Sequence, residues 1–133
     1  MPNQPRVDAV VLRFSPMSAE GVLARAERDS RRSGGPGLHT ASVWADHPAN
    51  PTESRDRVIQ RVLAVTEMSG CDPSRNPNFW WCSTAQELID RGFSFIKDGW
   101  PGEPSEHYSV VLGHPPELAD AKRFVGAFVK EKR

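Results

Sequence analysis

The sequence predicts an α+β fold: a single domain over residues 1–133, with a mixed β-sheet of about four to five strands covered by about four helices, in the order βαβα(β)αββα. Three observations carry this expectation. A chain of 133 residues fits one domain, large enough to bury a real core but too small for two domains. Apolar or alternating runs of strand length recur between longer segments whose apolar residues return at helical spacing. Caps and turn formers, among them Asn50-Pro51, Gly70, Gly92 and Pro101-Gly102, separate these segments.

The first strand is predicted over Val7 to Phe14, because Val10, Val11 and Leu12 are apolar on both faces. A helix follows, with Ser15 as cap, Pro16 at its first position and a narrow stripe of Ala19, Val22, Leu23 and Ala26. Leu38 to Ala45 is the second strand. The strongest helix comes next: Asn50 caps it, Glu53 completes a capping box, Val58, Ile59, Val62, Leu63 and Val65 form its buried face, and Gly70 stops it. "NFWWC" suits a short strand, and "STAQELIDRG" a short helix with a Ser83/Gln86 capping box. Phe93 and Phe95 alternate in the next strand, as do Tyr108, Val110 and Leu112 in the one after it, so the two form a long-looped hairpin. A last helix starts near Pro116 with a core face of Leu118, Ala121, Phe124, Val125 and Phe128, and its C-terminal end carries Lys130, Lys132 and Arg133. The glycine- and proline-rich stretches around Gly34–Gly37 and from Ser69 to Phe79 are connections within this domain.

Seventeen basic and seventeen acidic residues balance, which disfavours a chain whose main task is to neutralise phosphate. No apolar run approaches the roughly 20 residues needed to span a bilayer, and the N-terminus lacks the pattern of a secretory signal. Cys71 and Cys82 are too few for a disulfide scaffold, so a reduced, cytoplasmic setting is the expectation, with no membrane partner. The positions of His39, Asp46, His47, Cys71, Cys82, His107 and His114 match no metal template, and phosphate-loop and nucleophile-elbow motifs are absent. No metal ligand is assigned, and no cofactor is expected.

Chemistry is concentrated in "DGWPGEPSEHYSVVLGHP", Asp98 to Pro115. Its prolines and glycines make its first half a loop, and His107, opening the strand, stands beside Glu103 or Glu106. A carboxylate next to an imidazole is an acid–base pair when both are close to a substrate; the same residues also suit a solvated hairpin loop. In "LHTASVWADHP", His39 and Ser42 fall on opposite strand faces, while Asp46 and His47 follow the strand's end, where ligand-binding groups and ordinary turns both occur. Arg25, Arg28 and Arg32 line one side of the first helix, flanked by Glu20, Glu27 and Asp29. Trp80 adjoins Trp81, so the two point opposite ways, and Trp100 sits in the Pro/Gly loop; exposed tryptophans suit interface anchors.

The first reading is therefore a small soluble binding or adaptor domain that docks on a protein partner through Trp80, Trp100 and the Arg25/Arg28/Arg32 face. The alternative is a small metal-independent hydrolase or transferase, pairing Glu103 or Glu106 with His107 or His39, with Asp46 and His47 nearby. A third is a nucleic-acid binder using the same three arginines, disfavoured by the neutral charge.

Overall fold

The computed structural model describes residues 4–14, 17–32, 39–68, 79–99, 101–113 and 116–132. The elements run β1 (Val10–Arg13), α1 (Ala19–Arg32), β2 (His39–Asp46), α2 (Arg55–Met68), β3 (Phe79–Thr84), α3 (Ala85–Asp90), β4 (Ser94–Ile96), β5 (His107–Gly113), α4 (Leu118–Val125) and β6 (Val129–Lys132). The strands form one sheet in the order β4-β5-β2-β1-β3-β6, and every neighbouring pair is antiparallel.

The α+β class and the four helices found among the described residues agree with the sequence. Two details of the sheet do not: among the described residues it has six strands rather than four or five, and its strand directions are uniformly antiparallel rather than mixed. The sixth strand comes from the C-terminal segment. Helix α4 opens at Glu117, whose side chain and that of Asp120 form a reciprocal capping box, and it ends at Val125 with Gly126 as cap. The amides of Ala127 and Phe128 then bond back to Phe124 and Val125, turning the chain so that Val129 to Lys132 pairs with β3. Phe128 still reaches the core, but from beyond the helix, and Leu118 is exposed.

Helix starts also shift. Among the described residues, Ser18 begins α1, its hydroxyl accepting the Gly21 N–H at 3.1 Å; Ser15 and Pro16 lie outside them. Asn50 and Glu53 close a turn ahead of α2 by accepting the amides of Thr52 and Ala49, and Ser54 Oγ accepts the Arg57 N–H at the helix itself. The cap of α3 is Thr84, which bonds the Glu87 N–H, while Ser83 is buried in β3.

Strand alternation sorts the apolar side chains into two cores. On one face Val11, Val43, Val110 and Phe95 pack with Val22 of α1, Leu88 of α3 and Phe124 of α4. On the other, Val10, Leu12, Trp44, Trp80 and Cys82 pack under α2 through Val58, Ile59, Val62 and Leu63. The outer edge of β4 is occupied by a side chain: the Gln4 amide accepts the Phe95 N–H at 3.0 Å and donates to the Phe95 carbonyl. No helix among the described residues is long and apolar enough to cross a membrane.

Candidate functional site in the β4–β5 loop

The hairpin between β4 and β5 does form, and the described parts of its loop, residues 97–99 and 101–106, are held from inside by two groups of opposite charge. The first is Lys97, at the end of β4. Its ammonium lies 4.0 Å from the centre of the Tyr108 ring and donates to the carbonyls of Pro104 (3.2 Å), Ser105 (2.7 Å) and His107. Burial pulls the Lys97 pKa down, while Glu103, Glu106 and Asp98 oppose that pull. The second is Glu103, whose Oε1 accepts the Gly99 N–H at 2.8 Å and whose Oε2 accepts the Asp98 N–H at 3.2 Å. Gly99 and Gly102 both stand at φ 80°, the left-handed region that lets the chain turn back around this carboxylate.

Glu103 also meets His107. The imidazole Nδ1 lies 2.7 Å from Glu103 Oε2, and the two side chains are only 4 % and 7 % exposed. Register explains the placement. His107 stands directly across from Trp44 in the β2–β5 ladder, so both point to the α2 face, and their rings meet edge to face at 5.0 Å. Ser109, two residues on, points the same way, and its hydroxyl donates to Asp98 Oδ1 at 2.8 Å. Asp98 Oδ2 lies 3.9 Å from His107 Nδ1, so Asp98, Glu103 and His107 turn one donor atom each toward a common point, all within 4.8 Å of one another. Burial alone pushes the Glu103 carboxyl up, but hydrogen bonds from His107, Gly99 and Asp98 outweigh it and hold the group below its usual pKa.

The other candidates fall elsewhere. Glu106 bonds the Ser105 hydroxyl rather than the imidazole. His39 pairs with Gly113 at the far end of β2, about 17 Å along the strand from Trp44 and His107, so it does not join Glu103 or His107. Asp46 and His47 are fastened to α2: Arg61 bonds Asp46 Oδ2 at 2.9 Å, the His47 carbonyl at 2.8 Å and Glu53 at 2.6 Å. These contacts occupy the Asp46 carboxylate in a structural clip and depress the Glu53 pKa.

Trp80 is 5 % exposed and belongs to the second core, so it offers no surface anchor; Trp81, facing the other way, is half-buried. Arg25 and Arg28 lie on the exposed side of α1. The side chain of Arg32, like Trp100, Cys71 and His114, lies outside the described residues. Burial raises the Cys82 thiol to about 11 although Arg55 stands 2.8 Å away, the reverse of an activated nucleophile. Sequence reasoning missed Asp98, Lys97 and Ser109. An aspartate before glycine signals a turn, but the turn that folds Asp98 onto Ser109 is made by hydrogen bonds that no spacing displays. Compared with known proteins, the chain matches no family model, no curated relative and no solved structure.

Proposed function

We propose that this protein is a non-catalytic cytoplasmic binding domain that docks on another protein through the β4–β5 loop. The observation that carries the reading is the Glu103 carboxylate, which gathers two backbone N–H groups and the His107 ring and so fixes the loop's shape before any partner arrives. Binding residues sit disproportionately on loops held by a rigid scaffold, and a segment held in place by its own hydrogen bonds loses little entropy on binding. Lys97 turns its charge inward, and Pro101, Gly102 and Ser105 lie exposed on the loop. Trp100 belongs to the same stretch of sequence and is the anchor this reading assigns. Trp80 drops out of the docking surface, and the arginines of α1 are not required by it.

The enzyme reading draws on the Glu103–His107 contact as well. Against it stands the burial of both side chains, which leaves a substrate little access unless the loop is displaced.

The test places a photo-crosslinking residue at Ser105 and, in a second variant, at Gln60 on the exposed side of α2. The expected result is one protein captured repeatedly from native lysate at Ser105 alone, which then binds the purified domain and loses affinity at least tenfold with Trp100→Ala, the scale of an interface hot spot. Equal, unselective capture at both positions would overturn the reading.

A further inference from the structure

We propose that Asp98, Glu103 and His107 form a binding site for a divalent transition-metal ion of the zinc type. The donor set is one imidazole nitrogen and two carboxylate oxygens, a mixture suited to zinc and its first-row neighbours rather than to calcium or magnesium, which take oxygen alone. Zinc holds nitrogen and oxygen ligands at about 2.0–2.2 Å, so two donors on one ion stand at most about 4.4 Å apart and about 3.4 Å in a tetrahedron. His107 Nδ1 is 2.7 Å from Glu103 Oε2 and 3.9 Å from Asp98 Oδ2, distances that straddle the tetrahedral value. An ion therefore fits by replacing the proton shared between Glu103 and His107 and drawing Asp98 inward. Asp98 has the freedom to move, since its side chain is 34 % exposed.

The groups behind the ligands point to the same arrangement. Gly99 N–H holds the second oxygen of Glu103, and the Ser109 hydroxyl holds the second oxygen of Asp98, which leaves Oε2 and Oδ2 directed at the imidazole. Such outer hydrogen bonds orient metal ligands and sharpen their basicity. The Trp44 ring fixes the imidazole from the side. Two carboxylates balance the charge of a divalent ion, and the solvent side of Asp98 gives water access to complete the coordination. The site is assembled from three separate points, the end of β4, the middle of the loop and the start of β5, so an ion there would tie the loop shut. The inference concerns the loop used in the docking reading, but its test needs only the isolated chain, so either fails without the other.

The experiment strips the full chain with chelator and titrates it with zinc chloride by calorimetry, beside Asp98→Asn and His107→Gln. Asp98→Asn keeps an acceptor for Ser109 on an exposed side chain, so this variant should retain the fold, checked by its circular dichroism and melting temperature. The expected result is saturable binding of one ion per chain, weakened at least about tenfold by Asp98→Asn and abolished by His107→Gln. Absence of saturable binding up to about 1 mM zinc would overturn the proposal, and so would Asp98→Asn binding zinc as tightly as the wild type.

Discussion

Glu103 shows how one carboxylate decides the conformation of a whole segment. Three hydrogen bonds converge on it, and each bond to a charged acceptor contributes about 1.5–3 kcal/mol net when its partners are withdrawn from water. Glu103→Gln keeps the shape but not the charge, and should lower stability by about 1–3 kcal/mol, read as a fall in urea midpoint with unchanged m value. The pH dependence follows from the depressed pKa of this group. Its ionised form contributes stability that is fully present above the ordinary carboxyl value of 4.5 and is lost as pH falls through the lower folded value. The gap between wild type and Glu103→Gln should therefore be widest near neutrality and should narrow as pH falls below 4.5; a gap independent of pH would refute the assignment. The sequence made a Glu–His pair visible, because both residues border the same strand start. It did not make visible which glutamate would pair, since Glu103 and Glu106 differ only in where the turns at Gly99 and Gly102 place them.

Elements whose signal is a repeated period were legible. The Val58, Ile59, Val62 and Leu63 stripe of α2 and the Val110/Leu112 alternation of β5 are buried as their spacing requires. The C-terminal segment was not, for a specific reason: Phe124 and Phe128 stand four apart, the spacing of a helix face, and both are buried in the same core. Gly126 was the overlooked mark, followed by β-branched Val129 and alternating charges that suit an edge strand. Hydrogen exchange separates the two structures directly. As an edge strand, β6 bonds β3 through alternate amides, so slow and fast exchange should alternate from Val129 to Lys132. Uniform protection across those amides would mean a continued helix and a five-stranded sheet.

At the scale of the molecule, the two cores share the central strands β1 and β2. Val10 and Leu12 of β1 face one way while Val11 faces the other, so neither side can lose its packing without disturbing its opposite. Helix α2 is the only helix packed on its face among the described residues. Leu63→Ala, at that seam, should cost about 2–5 kcal/mol, and it should shift the urea transitions seen by tryptophan fluorescence and by far-ultraviolet circular dichroism together. Separate transitions would mean that the α2 side melts on its own. The Gln4 amide on Phe95 bears on how the molecule meets others. Sheets often recruit a further chain by extending their ladder, and aggregation begins in the same way. Here the outer margin of β4 is already spoken for by an amide that imitates a neighbouring backbone, and at the opposite margin β6 is short and carries Lys130 and Glu131. A companion that tried to continue the sheet at β4 would first have to evict Gln4, so that margin resists both fibrous self-assembly and recognition by strand addition.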